Sequence, residues 1–161
     1  MYVSYNELPN SSRVWVYQSD REFTQEEVES ISAKAIIFID QWTRHGDDLR
    51  GSFMIKYNQF LVIALDESFN NASGCSIDAS VRFIKSIEEE LSIDLMDKMN
   101  VSFKDGERIN IVKLSDFQEF AKAEKINSET IVFNNMVSTK DDFENKWEVS
   151  AKESWHNRFL V

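Results

Sequence analysis

The sequence predicts an α+β fold in which an antiparallel or mixed sheet carries its helices mainly on one face. Two segments, near residues 25–42 and 77–91, have apolar residues at spacings of three and four, which is typical of amphipathic helices. Shorter runs around them alternate in hydrophobicity or are continuously apolar, as strands are. In chain order these segments form a βαββαβ series, the order of a ferredoxin-like unit.

The length of 161 residues suits one domain covering residues 1–161. Within it we expect a ferredoxin-like core over about residues 13–112 and a C-terminal βαβα-type extension over about residues 113–161. Apolar residues make up 42% of the chain and aromatic residues 12%, which is enough to form a core and argues against disorder.

A β-type run at residues 14–17 predicts the first strand, and a capping box predicts the start of the first helix. Thr24 is placed to cap this helix, and Glu27 three residues later completes the box. The apolar stripe behind it is wide, so we expect a well-buried helix. We expect the helix to end within residues 43–48, with Gly46 as its C-cap. The stripe consists of Val28, Ile31, Ala35, Phe38 and Trp42.

A hairpin follows the first helix. Residues 53–57 alternate, and beyond a turn at Asn58-Gln59 residues 60–65 are continuously apolar, which predicts a central strand. The next nine residues, 66–74, form a polar loop that is longer than most connections and is therefore a candidate functional loop.

The second helix begins after this loop and ends near Ser92. Ser73 or Ser76 is placed to cap it, and Asp78 suits the positive end of its dipole. Two runs at residues 101–103 and 109–112 then flank an Asp-Gly turn, which predicts another hairpin. The first strand of this hairpin completes the ferredoxin-like unit.

The extension begins with a second capping box, formed by Ser115 and Gln118, for a short helix. We expect a strand at residues 130–137, a short helix at 139–147 and an irregular or helical tail at 148–161.

The charge balance excludes two classes of partner. The chain has 18 Lys and Arg against 28 Asp and Glu, a net charge of −10. Nucleic acids and anionic membranes are bound largely by neutralising their phosphates, so we expect neither as a partner. The single cysteine excludes an internal disulfide and fits a reducing compartment. With no signal-peptide pattern and no apolar run approaching about 18 residues, the sequence predicts a cytoplasmic protein.

One candidate site combines the only cysteine with one of the two histidines. In the predicted topology, the loops after the first helix and the third strand emerge on one side of the domain, which brings His45 towards Cys75. A thiolate nucleophile at Cys75, an imidazole base at His45 and a carboxylate at Asp78 would form a catalytic set. A helix start near Cys75 also favours an anionic ligand. The candidate ligand-binding residues are Trp42, His45, Asp66, Ser73, Gly74, Cys75, Ser76 and His156.

Each candidate also has a structural interpretation. Cys75 can be a small, buried, inert residue at a strand–helix junction. His45 can act as a cation beside the last carbonyls of the first helix. His156 lies in the tail, which can fold back to this site or lie elsewhere. The spacing of the histidines and the cysteine fits no metal motif, and no cofactor is predicted.

Four segments of the chain carry a resemblance to known proteins: Trp42–Gly46, Ser73–Asp78, Leu95–Phe103 and Glu153–Phe159. Together they resemble a family of small uncharacterised bacterial proteins that are often labelled ABC transporter ATPases. The resemblance covers nearly the whole chain and implies no established activity. The label does not fit this sequence, because glycine occurs only at positions 46, 51, 74 and 106, which leaves no P-loop and no signature motif. The same glycines leave no dinucleotide-binding motif and no nucleophile elbow.

Three functions therefore remain open at the level of sequence. The leading hypothesis is a non-enzymatic domain that binds a small molecule or a protein partner through the loops around His45 and Cys75. The second is a thiol-dependent hydrolase or transferase, with Cys75 as nucleophile and His45 as base. The third is a structural subunit that docks through an exposed sheet edge. The sequence does not predict an oligomeric state.

Overall fold

The computed structural model describes residues 1–161 and shows a mixed α+β fold. The α-helices are α1 (Gln25–Asp40), α2 (Gly74–Leu91), α3 (Leu114–Lys122) and α4 (Lys140–Lys146). The strands are β1 (Arg13–Gln18), β2 (Thr43–Arg44), β3 (Asp47–Asp48), β4 (Gly51–Lys56), β5 (Phe60–Leu65), β6 (Asn100–Asp105), β7 (Arg108–Lys113), β8 (Ile131–Phe133) and β9 (Glu148–Ser150). Short 3-10 helices occupy Tyr5–Glu7, Ala151–Glu153 and Trp155–Phe159.

The first sheet has three strands in the order β1-β5-β4, and both of its ladders are antiparallel. Helices α1 and α2 cover one face of this sheet. Leu61, Ile63 and Leu65 of β5 point into the core beneath these helices, where they meet Ile31 of α1 and Ile84 of α2. The continuously apolar run that predicts a central strand is thus confirmed.

The opposite face of the first sheet packs against a second sheet. The alternate residues of β5, which are Phe60, Val62 and Ala64, share a second core with Phe133 of β8 and Trp147. The second sheet has the antiparallel order β7-β6-β8-β9. Its outer face carries a third core under α3, so the layers run helices, sheet, sheet, helices.

The complete ferredoxin-like unit is not confirmed. The first sheet does contain its split βαβ order, since β5 lies between β1 and β4. The strand expected to close the unit, β6, instead pairs with β7 and β8 in the second sheet. Because β8 and β9 complete the same sheet, the predicted boundary at residue 112 falls inside it, and the helices cover outer faces of two sheets.

The outer edge of β1, where a ferredoxin-like fourth strand would pair, is covered by a distant segment. The Val14 N–H donates to the carbonyl of Ser138 at 2.9 Å, and Arg13 forms a bridge with Thr139. Next to this contact the side chain of Lys140 is buried, and its ammonium donates to the carbonyls of Tyr5 at 3.1 Å and Leu8 at 2.8 Å. These bonds hold the N-terminal segment against α4.

Several local predictions are confirmed. Thr24 caps α1 and forms the capping box with Glu27, and Ser73 caps α2 through the N–H of Ser76. Both predicted hairpins are present. The turn of the first hairpin is centred on Tyr57 and Asn58, both with positive φ, one residue earlier than expected.

Other local predictions are wrong. Helix α3 begins at Leu114, with Lys113 at the cap position and no side-chain cap, so Ser115 is already inside the helix. Its start is fixed by burial rather than capping, since Leu114 packs against the third core. The strand expected at residues 130–137 is limited to β8, and part of the tail forms β9. No helix has the length and apolar character needed to cross a membrane.

We predict that Gly51→Ala destabilises the protein by about 1–3 kcal/mol, the usual cost of overpacking. A Cβ at Gly51 would lie 2.7 Å from the carbonyl oxygen of Ala64 and 3.3 Å from Ile39 Cγ2. Urea denaturation measures the change. Gly74→Ala is the control, because a Cβ there meets nothing within 4 Å and should stabilise the exposed helix start slightly. Equal stability of the two variants would contradict the prediction.

Candidate functional site

An open depression of about 490 Å³ lies where α1, α2 and the short hairpin β2-β3 meet. We call it the His45 pocket. Its size falls in the range of small-molecule sites. His45 and Cys75 both line it, so the structure brings together the two loops that the topology argument places on one side. The lining residues are Phe38, Gln41, Trp42, Thr43, His45, Gly46, Cys75 and Ala79.

His45 stands at the tip of the β2-β3 hairpin. Helix α1 ends at Asp40, and the next residues turn back as two paired strands, Thr43 with Asp48 and Arg44 with Asp47. His45 and Gly46 form the turn, with φ values of 51° and 85°. Two consecutive positive φ values are the mark of a type I′ hairpin turn. The prediction of Gly46 as a helix C-cap is therefore wrong, and the His45 side chain makes no hydrogen bond to the last carbonyls of α1.

The conformation of His45 is costly. In the left-handed region most residues lower the folding stability by about 1 kcal/mol, whereas glycine and asparagine are tolerated and are the usual residues at this turn position. The His45 imidazole is exposed, and it neither accepts nor donates a hydrogen bond within the protein. The hairpin therefore holds a strained, unpaired histidine at the rim of the His45 pocket.

Hydrogen bonds fix the hairpin to the start of α2. The indole Nε1–H of Trp42 donates to the carbonyl of Ser76 at 2.9 Å, and the Ser76 hydroxyl donates to the carbonyl of Thr43 at 2.8 Å. The Ser73 side chain accepts from the Ser76 N–H at 3.1 Å and caps the helix. Ser73 and Ser76, two of the predicted ligand-binding residues, thus hold the site together rather than face its opening.

Aromatic rings form the inner wall of the His45 pocket. Trp42 is only 2% exposed, and its ring packs against Phe38 at 5.3 Å and Trp15 at 6.1 Å between centroids. Phe38 in turn stacks on Phe83 of α2 at 4.6 Å, with the rings nearly parallel. This stack joins α1 to α2, and Phe38 also lines the depression.

Cys75 is exposed, so its interpretation as a buried, inert residue is wrong. It is the second residue of α2, and neither its N–H nor that of Gly74 makes a hydrogen bond. No hydrogen bond joins the Cys75 sulfur to His45. Asp78, the fifth residue of α2, is exposed, and its carboxylate makes no hydrogen bond. His45 and Cys75 line one depression, Asp78 does not line it, and no hydrogen bond joins the three side chains into an assembled triad.

Asp66 lies outside the His45 pocket. Its side chain is buried at the end of β5, where it forms an ion pair with Arg50 at 2.9 Å and accepts the N–H of Ser68. Burial raises the pKa of this carboxyl, but the bonds from Ser68 and Arg50 outweigh it and hold the pKa below its usual value. Asp66 is thus a structural ion pair that closes the loop after β5.

His156 also lies outside the His45 pocket. It is fully buried in the layer of α3, stacked on Trp155 at 3.8 Å and next to Phe117 at 5.4 Å. Its Nδ1 is bonded to the hydroxyl of Ser154 at 2.7 Å, and its Nε2 has no partner. The tail therefore does not fold back to the candidate site, and burial lowers the pKa of His156 to about 4.

Comparison with known proteins does not assign this chain to a family. No family model, curated protein or solved structure matches this chain. No cluster of three or more His, Cys, Asp or Glu side chains is arranged to hold a metal ion.

Several residues of the His45 pocket were not predicted from the sequence, although helix spacing could have identified two of them. Phe38 lies four residues before Trp42 in the apolar stripe of the predicted first helix, and Ala79 lies four residues after Cys75 on α2. Residues four apart share a helix face, so both could have been added to the site by spacing alone. Gln41 and Thr43 had no such signal, because the end of α1 was predicted too late.

We predict that the unfolding free energy falls by about 3 kcal/mol between pH 6.5 and pH 4 because of His156. The unfolded chain binds a proton at His156 near pH 6.5, and the folded chain excludes it until about pH 4, so acid favours the unfolded state. Urea denaturation across this range measures the slope. His156→Gln should flatten it, and His45→Asn, which removes the exposed histidine, should not. A wild-type slope in His156→Gln would contradict the prediction.

Proposed function

We propose that this protein is a non-catalytic cytoplasmic binding domain and that a small molecule binds in the His45 pocket. The observation that carries the proposal is the conformation of His45. The hairpin places an exposed, unpaired imidazole at a left-handed position where asparagine or glycine would stabilise the turn. His45 lowers the folding stability and lines a depression, and a role in ligand binding is the best explanation for a histidine at this position.

The walls of the His45 pocket suit a compact ligand with a ring and a polar edge. Phe38 and Trp42 offer an apolar wall against which a ring can lie. Gln41 and Thr43 also line the pocket, and both carry groups that form hydrogen bonds. The mixture of a few polar groups with an aromatic wall is typical of metabolite sites.

The rigidity of the His45 pocket supports binding by a preformed site. The bonds from Trp42 and Ser76 tie the hairpin to α2, and the Phe38–Phe83 stack ties α1 to α2. A ligand that enters does not have to order these elements, so little of its binding energy is lost to reorganisation.

The alternative proposal is a thiol-dependent hydrolase or transferase. It is favoured by one observation, the presence of Cys75 and His45 in the same depression. His45 would take the proton of the Cys75 thiol, and the thiolate would attack the acyl carbon of a substrate. The bond from this carbon to the leaving group would break, and His45 would give the proton to that group. Cys75 and His45 share no hydrogen bond, which is compatible with this alternative because catalytic contacts often tighten only with substrate.

We predict that ligands of the His45 pocket protect Cys75 from alkylation. The protein is incubated with iodoacetamide in the presence of single members of a library of aromatic and heterocyclic acids, amines and amides, and modification is followed by mass spectrometry. Binding compounds should slow alkylation and raise the melting temperature, by an amount that corresponds to about 2.7 kcal/mol at a hundredfold excess over Kd. A library in which no compound does both would contradict the proposal.

We predict that His45→Asn abolishes this protection while raising the unfolding free energy by about 0.5–1 kcal/mol, since asparagine tolerates the left-handed conformation better. Asn58→Gly is the matched control, because it changes a left-handed turn residue of the β4-β5 hairpin, away from the His45 pocket. Protection that survives in His45→Asn would assign the histidine no part in binding.

The rate of Cys75 alkylation against pH separates binding from catalysis. If the rate levels off well below about pH 8.5, the usual pKa of a thiol, and this pH moves upward in His45→Asn, the thiol enzyme replaces the binding domain. If both proteins share one pH profile, the enzyme alternative fails and the binding proposal stands or falls on the library result.

A further inference from the structure

A second concave region lies on the opposite outer layer of the molecule. It has a volume of about 780 Å³ and is bounded by the β6-β7 hairpin, the end of α3 and the segment that leads into β8. We call it the α3 groove. It shares no residue with the His45 pocket. The residues on which the argument rests are Phe103, Asn110, Phe120, Lys125 and Ile126.

The floor of the α3 groove is apolar and aromatic. The rings of Phe103 in β6 and Phe120 in α3 meet edge to face, with centroids 6.4 Å apart, and both side chains are half-buried. Ile126 is buried beneath them. Both phenylalanines line the α3 groove, so an aromatic ring in it has aromatic neighbours from β6 and from α3.

Two of the four charged side chains that line the α3 groove already have ion-pair partners. Lys104 is bonded to Glu148 at 3.0 Å, and Glu129 is bonded to Lys152 at 2.7 Å. Asp105, at the hairpin end of the groove, stands across the β6-β7 ladder from Arg108, but no ion pair joins the two side chains. One cation on the α3 groove also lacks an ion-pair partner.

That cation is Lys125. It forms no ion pair, and its Nζ lies 5.7 Å from the centre of the Phe120 ring. Across the α3 groove, Asn110 stands opposite Phe103 in the ladder, half-buried, and its side-chain amide has no hydrogen-bond partner. An ammonium and an amide N–H thus flank the aromatic floor, and both donate hydrogen bonds.

We propose that the α3 groove binds a planar aromatic carboxylate. The ring lies on Phe103 and Phe120, the carboxylate accepts a charge-assisted hydrogen bond from Lys125, and the Asn110 amide donates to its second oxygen. A neutral aromatic molecule fills the same space without using the ammonium. A cationic one meets Lys125 as a like charge.

The test compares 1-naphthoate with its neutral analogue 1-naphthamide, by calorimetry and by backbone amide NMR shifts. We expect naphthoate to bind about tenfold more tightly than naphthamide, as a charge-assisted bond implies. We expect naphthoate to change the backbone amide NMR shifts of Asn110 and Phe120. The Lys125→Met variant keeps most of the apolar stem. Its affinity for naphthoate should be about tenfold lower than that of the wild type, and its affinity for naphthamide should be unchanged.

Lys122→Met is the matched control. Lys122 lies at the end of α3, is exposed outside the α3 groove and is paired with Glu119 at 3.4 Å. Its loss should leave both affinities unchanged. Lys125 is exposed as well, so both variants should fold, which circular dichroism verifies.

Three results would overturn the proposal: equal affinities of the acid and the amide for the wild type, equal losses in the two lysine variants, or no binding up to the solubility limit of naphthoate. Shifts confined to residues around His45 would also overturn it and would favour the His45 pocket instead. Because the two sites share no residue, failure at one is distinguishable from failure at the other.

Discussion

The burial of β5 on both faces is the constraint on which the rest of the structure depends. All six of its residues are fully buried, and successive residues alternate between two cores. One set requires α1 and α2 above the first sheet, and the other requires a second sheet below it. Because β5 is also the middle strand, its two edges are satisfied by β1 and β4. A substitution in β5 that shifts the strand backbone therefore disturbs the packing of both cores.

The sequence is most informative where the cause of a structure is local. The apolar run of β5, the capping box at Thr24 and the Asp-Gly turn at residue 105 each act over a few residues, and each was predicted. The destination of β6 was not predictable in this way. It depends on which segment covers the edge of β1, and that segment is Ser138–Thr139, far along the chain and without any strand pattern.

The candidate site shows the same division. The meeting of His45 with Cys75 follows from the direction of strands and helices, which connectivity largely determines. The turn at His45 was missed because Gly46 was interpreted as the C-cap of a longer first helix, whereas it is the second residue of a hairpin turn. His156 and Asp66 were placed wrongly for another reason. The side chains that bury each of them come from other elements, and no spacing in the sequence reports those contacts.

The cover over β1 has a consequence for synthesis on the ribosome. When the first hundred residues have emerged, β1, β4 and β5 can already pair, but the segment that protects the outer edge of β1 has not yet been made. Translation adds about 5–20 residues per second, so this edge stays open for a few seconds at least. An open, apolar edge is a template for pairing with another nascent chain. Crowded polysomes, rather than the finished protein, are the setting in which this fold is most exposed to aggregation.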